Sequence, residues 1–229
     1  MRRATIQGLR GVSVKRIISV IQQKGGVGKT TLTVHLAHQL RLQNPEMRVA
    51  IADADPQQSA SKWVKRGKLA GACDIDAYTV AADGEGKYLR KELQAIDADL
   101  VLVDLPPAIE SVSLRAALYA HLMLVPVGAS ALDIEAAKAA IDVCEEALGL
   151  DGAKQFLIVP SKVRSSTAAG RELRSVLSQW GQVSETTLGL RVAYSDAATT
   201  GEGICTYAPS SPAHMEMQNL AIEVTQILG

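Results

Sequence analysis

The segment Lys24-Gly-Gly-Val-Gly-Lys-Thr-Thr31 constrains this chain more than any other. It follows a β-branched run, Ile17 to Ile21, and opens a stretch from Thr30 to Leu42 in which Leu32, Leu36 and Leu40 recur at helical spacing, with Val34 among them. A glycine-rich loop between a buried strand and a helix is a phosphate cradle. Gly25, Gly26 and Gly28, with Val27 among them, let the backbone approach phosphates and turn N–H groups toward them. The helix beginning near Lys29 adds the positive end of its dipole. Lys29 supplies a point charge for the β and γ phosphates. The Thr30 hydroxyl suits Mg²⁺, and Thr31 can reach the α phosphate.

The remaining pattern alternates short apolar runs with longer periodic segments. Strands are expected at Arg48 to Ala52, Leu100 to Val103, His121 to Val127 and Gln155 to Val159. Helices are expected at Ser59 to Arg66, Ile134 to Leu148, Thr167 to Gln179 and Pro212 to Leu228. Fully apolar strands alternating with helices predict an α/β fold: a doubly wound, mostly parallel sheet with helices on both faces. The 229 residues fit one domain, expected over residues 14–229, preceded by a basic arm over residues 1–13. Aromatic residues are only 3%, so Ala, Val, Leu and Ile must build the core, and a surface that stacks single-stranded bases is disfavoured. Lys plus Arg equals Asp plus Glu at 24 each, which excludes a whole-surface polyanion binder and leaves only a local basic patch. Cys73, Cys144 and Cys205 are odd in number and far apart, against a metal or disulfide framework and in keeping with a reducing cytoplasm.

Lys24 directly precedes the first glycine. The resulting K-G-G-x-G-K-T-T resembles the deviant Walker A motif of the ParA/MinD superfamily of P-loop ATPases. Two further segments resemble that family in the same order. Asp53-Ala-Asp-Pro-Gln57 is similar to its D-x-D-P-Q motif, and Leu100-Val-Leu-Val-Asp104 is similar to a Walker B strand. The resemblance implies ATP and Mg²⁺ as cofactors and ATP hydrolysis as the activity. It implies that Lys24 crosses a nucleotide-sandwich homodimer to the partner's ATP. Asp55 is the candidate to orient the attacking water, Asp53 to support the Mg²⁺ shell, and Asp104 to hold the ion through a coordinated water. Tyr207-Ala-Pro-Ser-Ser-Pro-Ala213 resembles the family's late loop near the adenine, which makes Pro209 a candidate base contact.

The short N-terminus is similar to the small ParA branch, whose ATP-bound dimers hold nonspecific nucleoid DNA and position a plasmid, a chromosome region or a protein compartment. A ParB-like or cargo-adaptor protein would stimulate hydrolysis. The candidate DNA contacts are Lys162, Arg164, Arg171, Arg174 and Arg191, and Lys62, Lys65, Arg66 and Lys68 form a second basic cluster without an assigned purpose. The expected location is cytoplasmic and nucleoid-associated. A membrane-cycling regulator of the MinD kind is the second reading; no Lys or Arg follows Arg191, so the C-terminal helix is a poor anchor on anionic lipid and no membrane partner is expected. A metabolic P-loop enzyme is the third.

Overall fold

The computed structural model describes residues 15–81, 88–107 and 110–229. The arm expected over residues 1–13 lies outside them. Six strands form a single parallel sheet in the order β3-β2-β4-β1-β5-β6. They are β1 (Arg16–Val20), β2 (Val49–Asp53), β3 (Asp76–Thr79), β4 (Leu100–Asp104), β5 (Leu122–Val127) and β6 (Gln155–Pro160). The helices are α1 (Lys29–Gln43), α2 (Ser59–Leu69), α3 (Leu89–Ala95), α4 (Glu110–Tyr119), α5 (Ala131–Leu150), α6 (Ala168–Leu177), α7 (Val192–Thr200), α8 (Ile204–Tyr207) and α9 (Pro212–Leu228).

The apolar strand runs serve two cores at once. Along β4, Val101 and Val103 join the side chains of α3, α4, α5 and α6, whereas Leu100 and Leu102 join those of α1, α2, α7 and α9. Every residue of β2, β4 and β5 is buried, which is why these strands read as unbroken apolar runs. A fully buried Leu such as Leu102 contributes about 1.5–3 kcal/mol. β1 sits between β4 and β5, with successive connections leaving to opposite sides of the sheet. The crevice beyond the carboxyl ends of such strands is where ligands bind in open α/β sheets.

One crossing is built on glycine. Gly67 of α2 lies against Gly201, which ends α7 at φ +86°, and a Cβ on either would collide with backbone of the other. Alanine is worth up to about 1 kcal/mol over glycine inside a helix. The collision outweighs that gain, because overpacking against atoms that cannot rotate away costs about 1–3 kcal/mol or more. Gly67→Ala is therefore expected to lower the urea midpoint of unfolding; a raised midpoint would show that the α2–α7 contact yields freely.

Candidate nucleotide site

The loop between β1 and α1 reverses direction through two left-handed glycines, Gly26 at φ +77° and Gly28 at φ +100°. A side chain is strained in either conformation, so the loop requires glycine at both. Gly25 and Gly26 are exposed with open space beside them, while Val27 is buried and anchors the loop to the core. The first turn of α1 contains no acidic residue, and no side chain caps it. Its leading N–H groups are thus left for an anion. Lys29 arcs back over the loop, its Nζ donating to Lys24 O at 3.2 Å. Burial holds the Lys29 ammonium below the ordinary lysine range, opposed by the nearby carboxylates of Asp104 and Asp55.

The carboxylates stand at the ends of adjacent strands, Asp53 opposite Asp104 in the β2–β4 register. Asp104 is fully buried and accepts the Thr30 hydroxyl at 2.7 Å on Oδ2. Burial pushes its carboxyl up to about 7, against the Thr30 hydrogen bond and with Asp53 adding to the rise. Above its unfolded range near 4 and below about 7, the folded chain therefore holds a proton that the unfolded chain has lost. This contribution makes the nucleotide-free protein lose stability as pH rises through that window. Wild type is expected to lose more stability than Asp104→Asn between pH 5 and 8 in urea titrations; parallel profiles would refute the assignment.

Asp53 is held by backbone N–H groups on both of its oxygens. Its Oδ1 accepts Asp55 N at 3.2 Å, and its Oδ2 accepts Ser61 N at 2.8 Å. Asp53 thus tethers the Asp55 loop and the first turn of α2, and each oxygen keeps a further lone pair for the Mg²⁺ shell expected from the sequence. Asp55 is half-buried, near enough to Lys29 and Asp104 to perturb both.

Lys24 is engaged within its own chain. Its Nζ pairs with Asp133 Oδ1 at 2.6 Å, both side chains about a quarter to a third exposed. Asp133 lies in a capping box at the start of α5: Ser130 Oγ accepts Asp133 N at 3.1 Å and donates to Asp133 Oδ2 at 2.5 Å. Gly128 leaves the space this carboxylate occupies. Ser130-x-x-Asp133 is a readable helix-start signal. Its link to a lysine 109 residues earlier is not readable from the chain.

A cleft beside the loop is lined by Val27, Gly28, Thr31, Leu32, Ser161, Lys162, Leu188 to Arg191, Tyr194, Ser195 and Met217. Glu216 of α9 shapes its far wall by accepting Gly189 N, the Arg191 guanidinium at 2.5 Å and the Tyr194 hydroxyl. Pro209 is not part of this lining; its carbonyl instead pairs with His214 Nδ1 at 2.6 Å. Pro209 follows α8, and the far wall of the cleft is formed by the Leu188–Ser195 segment.

The expected DNA set divides. Lys162, at φ 55°, turns its Nζ onto Gly26 O at 2.6 Å, which places it at the phosphate loop. Arg191 lines the cleft and is paired with Glu216, and Arg174 is paired with Glu185 at 2.8 Å. Arg171 is exposed and donates to Ser166 O at 2.9 Å, and Arg164 is exposed. Two of the five cations, Lys162 and Arg191, thus line the cleft beside the phosphate loop.

The residues fit a nucleoside triphosphate and Mg²⁺. Open glycines and uncapped N–H groups suit phosphate oxygens, and the Thr30 hydroxyl backed by Asp104 suits a hard cation. Among the described residues no cluster of His, Cys, Asp or Glu could hold a metal by itself, so phosphate and water would complete the coordination.

Residues 18–202 match the family model for the CobQ/CobB/MinD/ParA nucleotide binding domain. The chain is 39% identical over 123 residues to the maintenance of carboxysome distribution protein A of Gloeobacter kilaueensis, an alignment covering 53% of each chain. It is 29% identical over 238 aligned positions to the chromosome-partitioning ATPase Soj of Thermus thermophilus, covering 91% of this chain and 95% of that one. The septum site-determining protein MinD of Pyrococcus horikoshii, solved with Mg-ADP, superposes with a TM-score of 0.71 at 16% identity over 94% of this chain and 98% of that one, a likeness of fold. Sheet order, phosphate loop and family match agree, and this chain belongs to the CobQ/CobB/MinD/ParA nucleotide-binding family.

Proposed function

We propose that this chain is a ParA-type positioning ATPase: it hydrolyses ATP with Mg²⁺, pairs with a second copy when ATP is bound, holds nonspecific duplex DNA, and is released when an adaptor protein on its cargo stimulates hydrolysis. The observation that carries the reading is Lys24, an additional lysine at the mouth of a complete phosphate loop. Inside one chain Lys29 already serves the phosphates, and Lys24 points away to Asp133. A second cation at this edge is suited to another subunit's nucleotide. The relatives named for carboxysome distribution and chromosome partitioning support a positioning role and leave the cargo open. Among the described residues no helix is long and apolar enough to cross a membrane.

Phosphoryl transfer asks the protein mainly for positioning and charge neutralisation. The α1 N-terminus and Lys29 bind the phosphates, Thr30 and Asp104 place the cation, and Asp53 fixes the loop from which Asp55 orients water. Mg²⁺, when bound, neutralises the charge that develops on the transferred phosphoryl group. Residues of the Leu188–Ser195 wall hold the base.

Lys24→Ala separates this reading from a monomeric P-loop enzyme. The variant is expected to bind ATP within about threefold of wild type, because its ammonium serves the other subunit, and to lose the ATP-dependent dimer. Sedimentation with a nonhydrolysable ATP analogue checks this. A normal dimer with normal turnover would overturn the sandwich role.

A further inference from the structure

We infer that the exposed face of α2 is a docking surface for the phosphate backbone of duplex DNA, placed so that the nucleotide site can reorient it; this rests on the DNA-holding reading above. The helix, Ser-Ala-Ser-Lys-Trp-Val-Lys-Arg-Gly-Lys-Leu, carries four cations and no acidic residue in 11 positions. Its buried face is Ala60, Trp63, Val64 and Gly67, which leaves all four cations off the core side. Lys62, Lys65, Arg66 and Lys68 are all exposed. Lys68 pairs with Asp76, but Lys62, Lys65 and Arg66 pair with no carboxylate among the described residues. Lys62 and Arg66 rest on the backbone oxygens of Gln57 and Ala198, contacts that a phosphate can replace. By contrast, Arg174 and Arg191 on the late part of the chain are neutralised by Glu185 and Glu216.

Dimensions favour a duplex over an isolated acidic side chain. From Lys62 to Lys68 the helix rises about 9 Å. Duplex DNA carries about five phosphate charges over that length. The three cations without a carboxylate partner among the described residues, Lys62, Lys65 and Arg66, match such a charge line. Leu69, 82% exposed, ends the helix.

The placement of α2 joins this face to both ends of the nucleotide site. At its start, Asp53 binds Ser61 N and Asp55 N together, so the loop bearing Asp55 and the first turn of α2 share one anchor. Gln58, in the left-handed region at φ 53°, makes the tight turn between them. Along its length, Gly67 meets Gly201 and the Arg66 guanidinium donates to Ala198 O, both in the C-terminal part of α7. Tyr194 and Ser195 of α7 line the cleft beside the phosphate loop. A change in the Asp55 loop can therefore reach α2 through the Asp53 anchor, and a change in the cleft wall through the Gly67–Gly201 contact.

The test measures affinity for a random-sequence duplex against salt concentration, in the nonhydrolysable ATP analogue, for wild type, Lys62→Ala/Lys65→Ala and Arg164→Ala/Arg171→Ala. Each lost phosphate contact removes about 0.9 from the log–log salt slope. The α2 pair should reduce the slope by about 1.8 for each protomer on DNA and weaken binding about tenfold or more near 0.1 M salt. Basal ATP turnover without DNA should be unchanged, which also reports an intact fold. An unchanged slope in the α2 variant, with loss in the Arg164/Arg171 variant, would overturn this surface while leaving the DNA reading intact. Wild type that fails to bind DNA with the ATP analogue would overturn both.

Discussion

Lys29→Ala is expected to weaken ATP binding by about 30- to 1,000-fold, the equivalent of roughly 2–4 kcal/mol. The lysine is 7% exposed and already desolvated, so its cost of burial falls on the empty site and its attraction to phosphate is felt at low dielectric. Its removal also takes away the ammonium whose charge couples to the Asp104 and Asp55 carboxylates. Calorimetric titration with ATP and Mg²⁺ measures the loss. Affinity within threefold of wild type would remove Lys29 from the phosphate site.

Asp55→Ala is expected to act on the other parameter. Turnover should fall about 100-fold or more, the range ascribed to a positioned acid–base or water-orienting group. ATP affinity should change little, because Asp55 holds neither the loop nor the Thr30–Asp104 pair. The Asp53 tether to Ser61 survives in the variant, so α2 keeps its anchor. Single-turnover hydrolysis, with nucleotide affinity measured alongside, separates the effects. Preserved turnover would assign the water to another group.

The parts of the site that are local in sequence were legible before the structure. The phosphate loop, Lys29 and Thr30 follow from a glycine-rich run between an apolar strand and a helix, and Asp104 from the apolar strand Leu100–Val103 that precedes it. The parallel α/β arrangement was legible in β2, β4 and β5, whose residues are all buried. Edge strand β3 was not, since Asp-Ala-Tyr-Thr is largely exposed and carries no apolar run. Nor was α4, which packs through small residues, Ala116 and Ala117, that mark helical periodicity weakly. α7 and α8 are too short for a periodic signal, at nine and four residues.

Charge pairing was the least legible feature. Arg174 with Glu185 and Arg191 with Glu216 are created by the fold, and a count of basic residues cannot anticipate them. The same holds for Asp53. Its position at a strand end suggested support of the Mg²⁺ shell, and the added bond from Ser61 N exists only because the chain returns there. Glu216 could not be assigned from sequence, because its role depends on α9 crossing behind the Leu188–Ser195 wall.

The central claim is that nucleotide state controls assembly and DNA holding together. It is tested most directly by fluorescence anisotropy of a labelled random-sequence duplex, titrated with wild-type protein in ADP and in a nonhydrolysable ATP analogue, with sedimentation of the same mixtures. The account predicts monomer and weak binding in ADP, and dimer with tight, salt-sensitive binding in the ATP analogue. Equal DNA affinity and the same oligomeric state with both nucleotides would contradict it.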